Sequence, residues 1–290
     1  MSPAATPPLS SAAPFQHVAI LGLGVMGGSL AKALAVHTAR PRCVGWSPVA
    51  AERNEALEAG VLDHATGSPE EAVEGADLVV LAIPLEATCG LIPRLADRVG
   101  RDAVLTDVAS LKVPVRGAVR SAGLEAVWVG SHPMCGSEAS GYGASRADLY
   151  EGAEVYLVSS APTDAPNARI TRLWRDLGAA PRLVDAQDHD DLMAAVSHLP
   201  QVTANVLGRV LEGAGVLLDQ LGPAGLEMTR LASSSPTIWR DILAHGSPEL
   251  AEHLRSLARG ASEFADLVEE RELDALADWM ERNRAWRGKS

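Results

Sequence analysis

The sequence is poor in cysteine and has no long apolar segment. Cys43, Cys89 and Cys135 are the three cysteines among 290 residues, and their spacing matches neither a disulfide framework nor a metal-binding motif. Such scattered cysteines are typical of a reducing compartment, so we expect a cytoplasmic protein without a metal site. No apolar segment approaches the roughly 18–20 residues of a membrane-spanning helix, which argues against a membrane protein.

Basic residues are also scarce. The chain has 25 Lys and Arg residues against 37 Asp and Glu residues, and its formal net charge is -12. Nucleic-acid-binding surfaces need basic patches that neutralise phosphates, so we expect no nucleic-acid partner. A small anionic substrate stays compatible with this charge, because one or two well-placed cations are enough to bind it.

The pattern along the chain predicts a tail and two domains. Residues 1–14 are rich in Pro, Ala and Ser and lack the basic start and apolar core of a signal peptide, which predicts a disordered tail. Residues 15–185 alternate strand-like and helix-like segments, and this alternation predicts an α/β domain with a doubly wound parallel sheet. Residues 186–290 have helical periodicity almost throughout and predict an all-α domain.

A glycine-rich segment follows the first predicted strand, residues 17–21, and precedes a predicted helix. In this context Gly22 permits a tight turn, Gly24 lets a pyrophosphate approach the backbone, and Gly27 permits close helix packing. The phosphates would lie at the helix N-terminus. The segment therefore predicts a Rossmann-like dinucleotide-binding domain. The predicted cofactor-binding residues of this loop are Gly22, Gly24, Val25, Met26 and Gly27.

The end of the second predicted strand leaves both NAD and NADP open. In NAD-binding proteins an acidic residue about 20 residues after the glycines holds the ribose hydroxyls, and this chain has Ser47 there. Ser47 would hydrogen-bond the ribose or tolerate a 2′-phosphate, although the next arginine, Arg53, is six residues further on. We expect NAD and do not exclude NADP. Pro84 and Asp107, at the ends of the next two predicted strands, are further predicted cofactor contacts.

A segment rich in polar side chains follows the apolar residues 126–129, which predicts that His132 lies in a loop at the end of a strand. Ligands of open α/β sheets bind at that end of the strands. A nicotinamide cofactor implies hydride transfer, so the protein must supply a base, and histidine is best matched to proton transfer near neutral pH. We predict His132 as this base; an ordinary loop histidine is the alternative. A Cys135–His132 nucleophile is disfavoured, because sequence neighbours seldom face each other.

Other polar residues are candidates for the same site. Ser110 follows the preceding predicted strand, where it would hydrogen-bond the reacting hydroxyl, orient the imidazole or cap a helix. Glu138 is either a second acid or base or a carboxylate that shapes the pocket. Arg230 carries a planar guanidinium suited to binding a carboxylate, although an arginine on a helix is usually a surface group.

Two features stand out in the helical part. Pro200 interrupts an apolar helical pattern by removing a backbone hydrogen bond, and the predicted break lies beside polar residues, which indicates a site. These residues are Ser197, His198 and Gln201. An apolar stripe near the end of the chain predicts either core packing or a dimer interface. Its members are Leu250, Leu254, Leu257, Ala261, Phe264 and Val268.

Several segments together resemble the prephenate/arogenate (cyclohexadienyl) dehydrogenases of tyrosine biosynthesis. They are residues 22–31, 107–112, 132–138, 197–200, 229–230 and 239–241, in the family's order. The resemblance implies NAD(P)-dependent oxidative decarboxylation of prephenate to 4-hydroxyphenylpyruvate, or of arogenate to tyrosine, by a homodimer formed through the helical domain. It also implies residue roles: His132 is the base, Ser110 assists at the hydroxyl, Arg230 holds a substrate carboxylate, and Glu138 and Trp239 lie at the pocket rim.

One position departs from the family pattern. Prephenate-using relatives often have a histidine after Ser-His-Leu-Pro, and this chain has Gln201. A neutral amide would hydrogen-bond either the keto group of prephenate or the ammonium group of arogenate, so both substrates stay open. A 3-hydroxyacid dehydrogenase is a more remote alternative, but no lysine occurs between Lys112 and Lys289 to serve as its acid–base group. A cofactor-sensing module would leave the polar residues at the predicted site unexplained.

Overall fold

The computed structural model describes residues 14–136, 139–160 and 165–288. The predicted tail therefore lies outside the described residues except for Pro14, and Glu138 lies outside them as well. The chain divides into two compact units. The first unit comprises Met1–Asp190 and Ser234–His245, and the second comprises Asp191–Ser233 and Gly246–Ser290. The boundary predicted after residue 185 stays a prediction.

Five parallel strands form the main sheet of the first unit in the order β3-β2-β1-β4-β5. They are β1 His17–Leu21, β2 Arg42–Trp46, β3 His64–Ala65, β4 Leu78–Leu81 and β5 Val104–Asp107. The helices that connect and follow them are α1 Val25–Val36, α2 Ala50–Glu58, α3 Pro69–Ala72, α4 Leu85–Leu95 and α5 Val113–Ser121. Because the strand order reverses beside β1, a crevice opens at the carboxyl ends of β1 and β4, where such sheets bind ligands.

The main sheet is buried on both faces. In β1, Val18 and Ile20 belong to one hydrophobic core, whereas Ala19 and Leu21 belong to a second core. Successive side chains of a strand point to opposite faces, so the near-continuous apolar segments seen in the sequence cover both sides of the sheet. The predicted α/β class with a Rossmann-like parallel sheet is confirmed.

A separate three-stranded sheet completes the first unit. It contains β6 Val129–Pro133, β7 Glu154–Ser159 and β8 Ala180–Leu183; β6 is antiparallel to β7, and β7 is parallel to β8. Helix α6 Ala165–Asp176 lies between β7 and β8 in the chain. The prediction that His132 lies in a loop was wrong, because His132 is within β6 and pairs with Tyr156. This pairing needs β7, which is distant in sequence and therefore invisible in the local pattern.

The described elements of the second unit are helical, as predicted. The unit boundary falls within α7 Ala186–Met193, and a π-helical turn, Ala194–His198, precedes α8 Leu199–Gly213. The remaining helices are α9 Pro223–Thr229, α10 Pro236–His245, α11 Glu249–Glu269 and α12 Leu273–Arg287, of which α10 belongs to the first unit. Pro200 lies in the first turn of α8, where a missing N–H is tolerated, and the π-helical turn is the irregularity beside it. Within the described chain, no helix has the length and apolarity needed to cross a membrane.

Candidate active site

The glycine loop has the geometry of a phosphate cradle. A Cβ atom at Gly22, where φ is +105°, would lie 2.3 Å from the Ala82 carbonyl oxygen, and one at Gly27 would lie 1.8 Å from the Gly22 carbonyl oxygen. At Gly24 a Cβ atom would meet nothing within 4 Å. Helix α1 begins at Val25 with neither a side-chain cap nor an acidic residue in its first turn. Its N-terminal amides and positive dipole end therefore fit the pyrophosphate of a dinucleotide.

A cavity of about 200 Å³ in the first unit contains three of the predicted site residues in its lining: Met26, Pro84 and Ser110. Ile238 and Asp241 of α10 line the same cavity. Ser110 is not the cap of α5, because the residue at that position is Lys112. The structure thus brings the glycine loop, the end of β4 and the predicted hydroxyl-binding serine to one cavity.

The end of β2 combines a hydroxyl group with two opposite charges. Ser47 is buried and donates a hydrogen bond from Oγ to Glu52 Oε2 at 2.5 Å, while the guanidinium of Arg53 donates to the Ser47 carbonyl oxygen. Glu52 therefore brings a carboxylate to the position where NAD-binding folds hold the ribose hydroxyls. The sequence interpretation missed Glu52, because this residue lies in the first turn of α2 and not directly after β2.

Asp107 lies in a buried polar network at the end of β5. Its Oδ1 pairs with Lys112 Nζ, its Oδ2 accepts a hydrogen bond from Trp128 Nε1 at 3.0 Å, and neither charged side chain is exposed. Lys112 Nζ also donates to the Ser131 carbonyl oxygen at 2.7 Å. These extra hydrogen bonds stabilise two buried charges and join β5 to the residue that precedes His132. The predicted contact of Asp107 with the cofactor stays a prediction.

His132 is half-buried in β6 and contacts a second histidine. The distance between His132 Nδ1 and His189 Nε2 is 2.9 Å, and His189 Nδ1 lies 2.7 Å from Asp190 Oδ1. The His189 ring is fully buried. The sequence interpretation missed His189 and Asp190. In the sequence, His189 is surrounded by Asp188, Asp190 and Asp191. Such a run of charged residues usually indicates the solvated start of a helix, so it did not point to a buried site.

Cys135 lies close to His132 in sequence but is a poor nucleophile. Burial raises the pKa of the Cys135 thiol to about 11, against a smaller opposite effect of Arg146. The thiol is therefore protonated at neutral pH, and nucleophilic attack needs the thiolate. Cys135 packs against the hydrophobic core of the first unit, which agrees with a structural role.

The predicted site residues of the second unit lie on the π-helical turn, on α8 and on a 3-10 turn, Arg230–Ser233. Ser197 and His198 belong to the π-helical turn, and His198 is buried. Gln201 is also buried, and its Nε2 donates to the Leu231 carbonyl oxygen at 2.8 Å. Arg230 is the first residue of the 3-10 turn that contains Leu231. The hydrogen bond from Gln201 therefore stabilises the turn that carries the Arg230 guanidinium. Trp239 is half-buried on α10 in the first unit.

Two family models match most of the chain. The model described as "Prephenate dehydrogenase, nucleotide-binding domain" matches residues 30–182, and the model described as "Prephenate dehydrogenase, dimerization domain" matches residues 185–282. The chain belongs to the prephenate dehydrogenase family. The predicted family and its oxidoreductase class are confirmed, and the match to the nucleotide-binding domain, with the similarity to a structure that contains NAD+, supports the expected cofactor NAD.

Named relatives of this family are similar over most of their length. A cyclohexadienyl dehydrogenase of Zymomonas mobilis is 30% identical over 81% of this chain and 83% of its own. A prephenate dehydrogenase of Bacillus subtilis is 28% identical over 93% of this chain and 75% of its own. Among solved structures, this chain resembles the prephenate dehydrogenase of Aquifex aeolicus, crystallised with hydroxyphenyl propionate and NAD+. The two sequences are 27% identical, the TM-score is 0.85, and the superposition covers 94% of this chain and 98% of the Aquifex chain.

Proposed function

We propose that this protein catalyses the NAD-dependent oxidative decarboxylation of prephenate to 4-hydroxyphenylpyruvate. The observation that carries the proposal is the placement of His132, whose Nδ1 is held by a buried histidine–aspartate pair in the unit that also contains the glycine cradle. When bound, NAD+ would supply the acceptor for the hydride that leaves the ring carbon bearing the hydroxyl group. Gly22, Gly24, Val25, Met26 and Gly27, with Ser47, Pro84 and Asp107, are the residues proposed to hold it.

The side chains of the protein supply proton transfer and orientation. His132 accepts the proton of the ring hydroxyl group as the carbonyl forms, and Ser110 hydrogen-bonds the same oxygen. The bond from the ring to its carboxylate then breaks and carbon dioxide leaves. The electron pair of that bond completes the aromatic ring and turns the carbonyl oxygen into a phenolate, which takes back the proton from His132 and becomes the phenol of the product. Arg230 binds the carboxylate that remains on the substrate through two parallel hydrogen bonds. Glu138, Ser197, His198, Gln201 and Trp239 are the other residues proposed to bind the substrate.

Arogenate is a second candidate substrate. Gln201 is uncharged where many prephenate-using relatives would offer an imidazolium, so this position does not itself demand the keto acid. The side-chain amide of Gln201 donates to the Leu231 carbonyl oxygen, and its own oxygen is an acceptor, the type of group suited to an ammonium donor. A dehydrogenase that accepts arogenate, or both substrates, is therefore the alternative that this residue favours.

An absorbance assay of reduced cofactor formation tests the proposal. Prephenate and arogenate are each offered with NAD+ and with NADP+, and we expect the highest kcat/KM with prephenate and NAD+. A higher value with arogenate would favour the alternative, and a higher value with NADP+ would contradict NAD+ as the preferred cofactor. Absence of activity with all four pairings would overturn the proposed function.

We further propose a cytoplasmic homodimer that associates through the second unit. Helix α11 has no buried residue in the single chain, and Leu257 is 43% exposed. Leu257, Ala261 and Phe264 of the apolar stripe line a groove of about 710 Å³, which Trp279 of α12 also lines. A second copy of the chain is the occupant that the match to a dimerization domain supports. Free thiols at all three cysteines agree with the reducing cytoplasm.

A further inference from the structure

We infer that His189 and Asp190 form a relay that holds His132 in the tautomer with its hydrogen on Nδ1, so that His132 Nε2 takes the substrate proton. His189 and Asp190 are positioning residues in this inference, because they act through His132. The inference rests on the proposed function in so far as His132 is the base of that reaction. Its structural content, which nitrogen carries the hydrogen, is independent of the substrate.

The direction of the relay begins at Asp190. The backbone N–H of Lys112 donates to Asp190 Oδ1 at 2.8 Å, and that of Val113 donates to Asp190 Oδ2 at 2.9 Å. The carboxylate therefore accepts hydrogen bonds at both oxygens and caps the N-terminus of α5. Asp190 lies 77 positions after Val113, the first residue of that helix. A carboxylate only accepts, so the hydrogen in its 2.7 Å contact with His189 belongs to His189 Nδ1.

The protonation of His189 then determines that of His132. A neutral imidazole with its hydrogen on Nδ1 is an acceptor at Nε2. The 2.9 Å contact therefore has His132 Nδ1–H donating to His189 Nε2. The lone pair of the His132 ring lies on Nε2, and this atom accepts the hydroxyl proton. The resulting imidazolium keeps its Nδ1–H contact, and the negative charge of Asp190 stabilises it through the His189 ring.

Burial makes this arrangement well defined. His189 has no exposed surface and Asp190 is 2% exposed, so water does not compete for their hydrogen bonds. The Tyr156 ring packs edge-on against His189, with 5.5 Å between ring centroids. Tyr156 is also the β7 partner of His132. The same strand pair therefore fixes the position of both imidazoles.

Kinetics of His189 variants test the relay. Because Asp190 also caps α5, changing it would mix folding with function, so His189 is the residue to change. We expect His189→Leu to lower kcat for prephenate by about 10- to 100-fold, with KM values for prephenate and NAD+ changed less than about threefold. His189→Gln, whose amide both donates and accepts, should recover part of that loss. His64→Leu makes the same substitution at an exposed histidine of β3 and is the matched control, expected near wild-type kcat.

Nitrogen NMR of the ligand-free protein reports the tautomer without any reaction. Ring nitrogen shifts of His132, assigned by comparison with His132→Asn, should show hydrogen on Nδ1 in the wild type and a shift toward Nε2 in His189→Leu. If His189→Leu does not fold, as judged by thermal unfolding, the same spectra of His189→Gln replace it. An unchanged kcat in a folded variant, or a wild-type ring with its hydrogen on Nε2, would overturn the relay. Wild-type inactivity on every substrate would instead refute the proposed function, and the spectra would still test the relay.

Discussion

The two units of the chain differ in what they bury. In the first unit, side chains as large as Trp128 and Trp174 and as polar as Lys112 are fully buried. In the second unit, α11 and α12 contribute no buried residue to the single chain, and Leu273 and Trp286 are each 72% exposed. The first unit thus has a complete core on which catalytic side chains can be held rigidly. Helices α11 and α12 of the second unit leave large apolar side chains exposed in the single chain, a feature typical of interaction surfaces.

Among changes that distinguish the first unit from the second, we expect the largest loss of activity from a substitution of His132 in the first unit. His132→Asn removes the proposed base in the first unit and should lower kcat by about 10²- to 10⁴-fold. Steady-state kinetics measures this loss, and fluorescence titration with NADH should show nearly unchanged cofactor affinity. His64→Asn, at an exposed histidine of β3, is the control. An equal loss in the control, or unchanged turnover in His132→Asn, would contradict the assignment.

A change at Arg230 should instead act on substrate affinity. Arg230→Lys keeps the positive charge in the second unit but loses the two parallel hydrogen bonds, so KM for prephenate should rise by about 10- to 100-fold with a smaller change in kcat. Arg209→Lys is the control on α8, because Arg209 is a surface arginine paired with Glu212. If Arg230→Lys lowered kcat and left KM unchanged, the proposed division between chemistry and binding would be wrong.

A charge on the apolar stripe of α11 should affect assembly. Leu257→Lys places an ammonium in the proposed dimer interface, and we expect a monomer in analytical ultracentrifugation at micromolar concentration. Val36→Lys is the control, because Val36 is 77% exposed in the first unit and should leave the dimer intact. A dimer that persists in Leu257→Lys would show that α11 does not form the interface.

The smallest expected effect is an alkaline loss of stability that originates in the first unit. Burial raises the pKa of Cys43 to about 12 and that of Cys135 to about 11, and it also raises the pKa of Tyr150. The folded state therefore favours the protonated form of these groups. The resulting stabilisation is fully present below about pH 8.5, the pKa of a thiol in the unfolded chain, and it is lost as the pH rises through the higher pKa values of the folded protein.

Urea unfolding measures this pH dependence. The urea concentration at the unfolding midpoint should be lower at about pH 10 than at about pH 8. Between these two pH values the thiols of the unfolded chain change from protonated to ionised. Cys43→Ala removes the most strongly shifted thiol and should show a smaller difference between the two midpoints. Equal midpoints for the wild-type protein at both pH values would contradict the assignment of these buried groups.

Local signals in the sequence predicted the cofactor domain well. The conformation of Gly22 and the close packing at Gly27 are properties of a few consecutive residues, and periodicity distinguishes strands from helices over ten or so positions. The site around His132 depends on distant pairing. His132 contacts His189 across 57 residues and pairs with a strand that begins at Glu154, so no local pattern contains either contact.

The apolar stripe of α11 illustrates a second limit. Its spacing predicted an amphipathic helix, and the helix is present. The same spacing could not decide between burial within one chain and burial against another, because both place apolar residues on one face. Only the exposure of Leu257 in the folded chain, with the match to a dimerization domain, favours the second possibility.

The buried pair of Lys112 and Asp107 has a consequence for mutational scanning. Removing one partner of a buried ion pair typically costs about 3–5 kcal/mol, which is a large part of the roughly 5–15 kcal/mol that keeps a domain folded. An alanine scan scored by activity would therefore place both residues beside His132, because loss of folded protein lowers activity whether or not a residue contacts the cofactor. The two positions can change only together, so libraries with one substitution per gene would find them invariant.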